Sequence, residues 1–270
     1  MRAVIGAIFL ACMPLAAAAE VSPLQALVTA DDTRGWEAVG RIDIGTSSFC
    51  TGALISPSIV LTAAHCLYDQ DSGTIVDASD FTFLAGWRGG RAAAYRGVKR
   101  AVAHPDYVYE GRDRIDRVAY DLAFLELDQP IRLPSIQPFI IGYDPQQGDS
   151  VGIVSYGLDR SEAPSLEESC EVLGRQPGIL VMTCSVEFGS SGAPIFAMVD
   201  GVPQIVSVVS AKAEMDGQNV ALGTAMQIPL SELREAFAAT ERTFRKVAPG
   251  FGAAAASVGA GSSGAKFLKP

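Results

Sequence analysis

Short apolar runs alternate with turn residues along most of the chain. Between Trp36 and about Gln227, runs such as WEAVGRIDI, SIVLTAAHCL, DLAFLEL and PQIVSVVS are separated by Gly, Pro, Asp and Ser. Runs of this length, rich in Val, Ile and Phe and recurring at short intervals, are typical of strands in an all-β sandwich or barrel. The pattern therefore predicts an all-β domain over this region.

Helical periodicity is clear only near the C-terminus. The segment PLSELREAFAATERTFRKV places three bulky apolar side chains on one face and charges elsewhere, and these three are Leu233, Phe237 and Phe244. Pro229 and Ser231 are suitable start signals. The sequence predicts an α-helix over residues 229–247.

The first 19 residues have the layout of a secretory signal peptide. They contain one Arg, a short apolar run and the small residues Ala17 to Ala19, which suit cleavage after Ala19. The run is too short and too rich in alanine for a membrane anchor, which needs about 20 strongly apolar residues. An alternative takes Cys12 as a lipid-attachment site, but Phe9 stands where that motif usually has Leu. We expect export to the periplasm or the cell exterior, without stable membrane insertion.

Two further segments flank the all-β region. Residues 20–35 are polar and rich in turn residues, and we expect an N-terminal arm or a pro-segment. Residues 248–270 are mostly Gly, Ala and Ser and cannot bury enough apolar surface to offset the entropy lost on ordering. We expect a disordered tail there.

Composition narrows the function classes. The 270 residues are 49% hydrophobic and 19% charged, which suits a globular protein with a sizeable core. The formal charge is -9, and loss of residues 1–19 removes one positive charge, taking it to -10. So acidic a chain is not expected to bind nucleic acid. No metal or cofactor motif is present, and we expect neither.

The cysteines fit an oxidising compartment. Cys12 leaves with the signal peptide, and four others remain, an even number that favours two disulfides with three possible pairings. Pairing by proximity joins Cys50 to Cys66 and Cys170 to Cys184, and each short loop is worth about 3 kcal/mol. Zinc is the alternative, but the spacings form no CxxC pair and the chain has only two histidines.

Only His65 and His104 can supply an imidazole base at neutral pH. His65 follows the strand-like run SIVLTAA and precedes Cys66, whose disulfide would fix the backbone beside the imidazole. His104 lies in AVAHPDY before a proline, and we expect a histidine of a surface loop.

Asp121 opens the apolar strand DLAFLEL, an unfavourable place for a carboxylate that has no partner. A buried aspartate that accepts a hydrogen bond from a histidine fixes the tautomer and stabilises the imidazolium. The alternative is an ordinary turn residue at the start of a strand.

The motifs TAAHC, DLAFLEL and GSSGAP, in this order, resemble the chymotrypsin-like (trypsin-fold) serine proteases, of the bacterial type similar to the glutamyl endopeptidases. FCTGALI, AHPDY and SVVS are secondary matches, and the resemblance covers roughly Trp36 to Phe237. It implies a protease domain over 36–247, with two antiparallel six-stranded β-barrels (about 36–145 and 146–228), the C-terminal helix and an active-site cleft between the barrels.

The resemblance also implies residue roles. Aligning GSSGAP with the usual GDSGGP makes Ser191 the nucleophile and places Ser190 where the family has aspartate. His65 would be the base, Asp121 would orient it, and the N–H groups of Gly189 and Ser191 would form the oxyanion hole. In the animal members the aspartate pairs with a newly cut N-terminus. Ser190 cannot form that ion pair, so we expect no such activation, or a different one.

Three residues are candidates for the primary pocket and its surroundings. The resemblance places Ser185 at the floor of the primary pocket, Ser210 on the substrate-binding strand and Lys212 where the family often has glycine. Ser185 offers no counter-charge to Arg or Lys. Lys212 either attracts an acidic side chain or is a solvated surface lysine. We favour small or apolar side chains in this pocket.

The sequence therefore predicts an exported serine endopeptidase that acts on protein or peptide substrates as a monomer, through an acyl-enzyme. Activity should fall when His65 is protonated. Two alternatives remain: a protease-fold binding protein that has lost turnover, and a serine esterase on the same fold.

Overall fold

The computed structural model describes residues 22–46, 48–109, 115–215 and 217–247. The predicted signal peptide, Cys12 within it, and the predicted tail over 248–270 lie outside the described residues, as does the Phe244 side chain.

The described residues form mainly β-strands, with one α-helix at the end of the chain. The strands are β1 (Gln25–Ala26), β2 (Val39–Ile44), β3 (Ser48–Ser56), β4 (Ile59–Thr62), β5 (Phe81–Ala85), β6 (Ala94–Ala103), β7 (Ala123–Leu127), β8 (Ile140–Ile141), β9 (Ser150–Gly157), β10 (Arg160–Gln176), β11 (Ile179–Met182), β12 (Pro194–Val199), β13 (Val202–Met215) and β14 (Gln218–Ala225). The helix is α1 (Gln227–Val247), and 3-10 helices span Ala64–Leu67, Ala78–Asp80 and Ile115–Tyr120.

The first barrel closes in the order β2-β3-β4-β7-β6-β5, with every neighbouring pair antiparallel. Its interior holds bulky side chains that are almost fully removed from water, among them Leu54, Leu61, Phe81, Phe83 and Leu125. The apolar runs of the sequence supply these residues, and their burial is the main force that holds the barrel together.

The second barrel is a ring in which β9, β10, β11, β14, β13 and β12 pair in turn and β12 returns to β9. Two short strands extend it: β1 pairs with β10, and β8 runs parallel to β13. β8 therefore joins the second sheet although it precedes residue 146. The predicted all-β fold of two antiparallel six-stranded barrels with a C-terminal helix is confirmed.

The arm before Trp36 is folded against the second barrel. The Ser22 N–H donates to the Ser169 carbonyl oxygen at 2.8 Å, and the Leu27 N–H donates to the Pro164 carbonyl oxygen at 2.8 Å. Leu27 is only 2% exposed. Burial of such a side chain contributes about 1.5–3 kcal/mol, so this segment adds to the stability of the domain.

Helix α1 packs on the first barrel. It begins two residues before the predicted start, and Leu233 on its apolar face is fully buried. The Phe237 ring meets Phe124 edge-on at 5.5 Å, while the guanidinium of Arg100 lies 3.6 Å from the centre of the Phe237 ring. No described helix is both long enough and apolar enough to cross a bilayer.

Both predicted disulfides are present. Cys50 is bonded to Cys66, and Cys170 is bonded to Cys184. Because all four sulfurs are bonded in pairs, these cysteines are not available as zinc ligands, and the zinc alternative is wrong. The pairing also fits an oxidising compartment.

His104 is not the surface residue that its loop-like sequence predicts, and that expectation is wrong. Its side chain is fully buried, its Nδ1 accepts from the Asp106 N–H at 3.1 Å, and its Nε2 lies 3.1 Å from Glu232 Oε2 on α1. The ring also stacks on Tyr120. The helix covers His104, and local sequence gives no sign of that contact.

Candidate active site

His65 lies just beyond the buried strand β4, in the 3-10 helix Ala64–Leu67. The next residue, Cys66, is tied by its disulfide to Cys50 on β3. The backbone around His65 is therefore fixed both by the strand before it and by a covalent link after it, as a positioned base requires.

Asp121 contacts His65 through both of its carboxylate oxygens. Its Oδ1 accepts the His65 backbone N–H at 2.8 Å, and its Oδ2 lies 2.7 Å from His65 Nδ1. Its Oδ2 also accepts a hydrogen bond from the hydroxyl of Ser210. The side chain is 3% exposed. An ionised carboxylate can only accept a hydrogen bond, so Nδ1 carries the hydrogen and donates it, and Nε2 of a neutral ring keeps its lone pair.

Ser191 lies in the turn between β11 and β12. The Thr51 N–H donates to the Ser191 carbonyl oxygen at 2.8 Å, and the Gly192 N–H donates to the Val209 carbonyl oxygen at 2.8 Å. Thr51 follows Cys50, the disulfide partner of the residue after His65. The turn is thus anchored to the same strand that fixes the base.

Within the described residues, no hydrogen bond joins Ser191 Oγ to the His65 ring. Contacts of this kind are often long in a site without substrate and shorten when substrate binds. The structure therefore brings His65 and Asp121 into direct contact and anchors the turn that carries Ser191 to β3, the strand whose Cys50 is bonded to Cys66.

Two carbonyl oxygens of the turn are hydrogen-bonded within the protein, which fixes the direction of the N–H groups of the same peptides. The Leu158 N–H donates to the Phe188 carbonyl oxygen at 2.7 Å, and the Ala193 N–H donates to the Ser190 carbonyl oxygen at 2.9 Å. In a trans peptide the N–H points opposite to the carbonyl. The N–H groups of Gly189 and Ser191 therefore point away from those anchors.

Gly189 adopts a backbone that only glycine accepts easily. Its φ is +94°, and a Cβ at this position would lie 2.4 Å from the Phe49 ring. The Gly189 carbonyl oxygen accepts the Thr51 hydroxyl at 2.8 Å. Close approach to β3 and the left-handed backbone both explain the glycine that the motif predicts.

Ser190 is fully buried and contacts a cation of the same chain. Its Oγ accepts a hydrogen bond from Arg160 Nη2 at 3.1 Å and donates to the Tyr156 carbonyl oxygen at 3.0 Å. Arg160 Nη1 also donates to the Ser155 carbonyl oxygen at 2.5 Å. A half-buried guanidinium with several acceptors therefore lies against the turn that carries Ser191. Sequence reasoning missed Arg160.

A cavity of about 170 Å³ opens beside Ser191. Its walls are Val186, Glu187, Phe188, Val209, Ser210, Ala211 and Lys212. Ser210 and Lys212, the two predicted pocket residues of β13, both line this cavity. Ser185 is exposed and lines an adjoining depression of about 110 Å³, together with Glu187 and Lys212.

A buried carboxyl group lies behind Ser185. The Ser185 N–H donates to Glu167 Oε2 at 2.7 Å, while Glu167 Oε1 is buried without a hydrogen-bond partner among the described residues. Removal from water raises the pKa of the Glu167 carboxyl above its usual range, against the hydrogen bonds from Ser185 and the charge of Arg160. Its position in the long strand β10 gives no sequence sign of this contact.

A larger cleft of about 510 Å³ extends from the His65–Asp121 pair. Tyr107, Tyr109 and Arg117 line its far side. The AHPDY motif contains Tyr107, but nothing in the sequence indicates that these side chains line the cleft.

Comparison with known proteins decides the family. The sequence model of the trypsin family matches residues 28–230. The chain belongs to the trypsin family. The predicted resemblance to the chymotrypsin-like serine proteases is confirmed.

Two relatives of this trypsin-family chain are similar in sequence. It is 30% identical over 149 residues to the glutamyl endopeptidase of Bacillus licheniformis, a match that covers 54% of this chain and 45% of that protein. It is 31% identical over 188 residues to a trypsin of Simulium vittatum, covering 60% of this chain and 69% of that one. The match therefore spans less than half the length of the glutamyl endopeptidase.

A solved structure of a Glu endopeptidase in complex with MPD is similar in fold to this trypsin-family chain. It superposes with a TM-score of 0.66 at 20% sequence identity, over 82% of this chain and 98% of that one. At this identity the likeness supports the two-barrel fold and nothing further. The predicted similarity to the glutamyl endopeptidase branch agrees with both comparisons.

Proposed function

We propose that the protein is an exported serine endopeptidase that cleaves protein or peptide substrates through Ser191, His65 and Asp121. The observation that carries this is the buried Asp121 carboxylate, which holds His65 by both its backbone N–H and its Nδ1. That arrangement leaves Nε2 of a neutral imidazole as the ring nitrogen that can take a proton from Ser191 Oγ. The disulfides and the predicted signal peptide support export.

The proposed chemistry runs in two halves. His65 Nε2 takes the proton of Ser191 Oγ as the oxygen attacks the substrate carbonyl, and the N–H groups of Gly189 and Ser191 stabilise the oxyanion. His65 then gives the proton to the leaving amine, and an acyl-enzyme forms on Ser191. Water cleaves the acyl-enzyme by the same route. Asp121 remains ionised and stabilises the imidazolium. The mechanism needs no metal or cofactor.

The test measures hydrolysis of an unfolded protein and of simple esters, with Ser191→Ala as the control. An endopeptidase will cleave internal peptide bonds, whereas an esterase will turn over only the esters. Correctly folded protein without turnover on any substrate would favour the silent binding protein. Turnover that survives in Ser191→Ala would remove the proposed nucleophile.

We also propose that this enzyme needs no newly cut N-terminus. Arg160 already places a half-buried cation beside Ser190, at the position where animal relatives pair an aspartate with the new amine. Because this cation comes from within the second barrel, the turn that carries Ser191 can be held without cleavage of the chain.

Protein that begins at Glu20 is therefore expected to be fully active without trimming. Protein that begins at Trp36 loses the burial of Leu27 and the pairing of β1 with β10, and we expect its free energy of unfolding to fall by about 2–4 kcal/mol. Kinetics and urea unfolding of the two forms check this. A large gain in activity after trimming would instead identify residues 20–35 as an inhibitory pro-segment.

A further inference from the structure

An ion pair crosses the pocket beside Ser191. Lys212 Nζ lies 2.9 Å from Glu187 Oε1, and the two side chains are 41% and 52% exposed. Lys212 belongs to β13, whereas Glu187 lies four residues before Ser191 in the turn between β11 and β12. The pair therefore links the two walls between which a substrate side chain would enter.

Both charged residues border both cavities of this region. Each lines the cavity of about 170 Å³ that reaches Ser191, and each lines the depression of about 110 Å³ that contains Ser185. A side chain that enters from the scissile bond meets Lys212 and Glu187 before it reaches Ser185. Lys212 and Glu187 are therefore the charged groups that such a side chain meets first, and Ser185 at the predicted floor carries no charge.

The positive charge of Lys212 and the negative charge of Glu187 balance, so the pair carries no net charge. A substrate carboxylate has to compete with Glu187 for the ammonium, and a substrate ammonium has to compete with Lys212 for the carboxylate. The remaining walls offer Val186, Val209 and Ala211, which suit apolar contact. A pocket with balanced charge and apolar walls favours an uncharged side chain.

We propose that the Glu187–Lys212 ion pair sets the charge preference of the primary pocket, each member masking the other, and that the enzyme cleaves after uncharged, apolar residues. This inference rests on the proposed protease function. Exposed ion pairs are weak, about 0–1 kcal/mol, so removal of one member frees the other for substrate without unfolding the pocket.

The experiment uses three peptides that differ only in the residue before the cleaved bond, which is Leu, Glu or Lys. The enzymes are the wild type, Glu187→Gln, Lys212→Met and the double variant. Gln keeps the shape of Glu187, and Met keeps most of the aliphatic stem of Lys212. Arg34→Met is the matched control, because the exposed Arg34–Asp31 ion pair lines neither cavity.

The wild type is expected to favour the Leu peptide by about 10-fold or more in kcat/KM, and Arg34→Met to match it. Glu187→Gln should raise the ratio of Glu to Leu cleavage by about 10-fold, and Lys212→Met should raise the ratio of Lys to Leu cleavage by a similar factor. The double variant should return to the Leu preference. Both new preferences should weaken in 1 M salt, where the screening length is about 3 Å.

The possible failures are distinguishable. In one outcome, both single variants cleave the peptides with Glu-to-Leu and Lys-to-Leu ratios that differ from the wild type by less than about 2-fold. That result overturns the inference and leaves the protease function intact. A wild type that prefers Glu or Lys also overturns it. Absence of turnover on every peptide and ester overturns both the proposed function and the inference that rests on it.

Discussion

Replacing Ser191 with alanine is expected to lower kcat by about 10⁴- to 10⁶-fold. The loss is this large because the covalent step has no other nucleophile, and the oxyanion hole and substrate binding alone supply only the residual rate. The free energy of unfolding should be unchanged, since Ser191 is half-buried and its hydroxyl makes no hydrogen bond within the described residues. Steady-state kinetics together with urea unfolding check both expectations.

Ser190→Ala is the matched control, because it removes the same hydroxyl one residue earlier. Ser190 is fully buried and bonded to Arg160 and to the Tyr156 carbonyl oxygen. Its loss removes one of the two acceptors of Arg160 Nη2 and leaves the Ser155 hydroxyl as the other, which costs about 1–3 kcal/mol of stability. Turnover should fall far less than in Ser191→Ala. The opposite order of the two variants would assign the chemistry to Ser190.

Gly192→Ala is expected to lower kcat by about 100-fold or more and stability by about 2–4 kcal/mol. The φ of Gly192 is +78°, and an added Cβ would lie 2.1 Å from Thr62 Oγ1 and 2.3 Å from the Thr51 carbonyl oxygen. Neither atom can move freely, because the Thr62 hydroxyl itself donates to that carbonyl at 2.8 Å. Relief of the clash has to shift the turn, and Ser191 moves with it.

Gly201→Ala separates backbone strain from this clash. Gly201 has a φ of +77°, almost the same as Gly192, but nothing lies within 4 Å of an added Cβ. We expect a cost of about 1 kcal/mol from the left-handed backbone alone, with kcat unchanged. Equal effects of the two substitutions on kcat would show that Ser191 does not depend on close packing against β3 and β4.

The sequence predicts those parts of the molecule that local pattern encodes. Apolar runs fix the strands, so the two barrels follow from burial and from the family resemblance. His65 and Ser191 lie in short motifs whose neighbours, a cysteine and two glycines, are themselves needed for the local backbone. Proximity along the chain was enough to pair the cysteines, because each disulfide closes a short loop.

Contacts between polar side chains that are far apart in the sequence cannot be predicted from local sequence pattern. Arg160 reaches Ser190 from the start of β10, and Lys212 reaches Glu187 across the pocket. His104 is buried only because α1 covers it. No periodicity or motif identifies the partner of such a side chain, because the partner depends on how the strands and the helix pack together in three dimensions. The docking of β1 on β10 escaped sequence reasoning for the same reason.

The most direct test of the central claim is labelling with a serine-directed phosphonylating inhibitor, followed by peptide mapping by mass spectrometry. We predict one phosphonyl group per chain, on Ser191, lost in Ser191→Ala and formed far more slowly in His65→Ala. The label should persist on Ser191 in Ser190→Ala. A label on any other serine, or no label on correctly folded protein, would contradict the account.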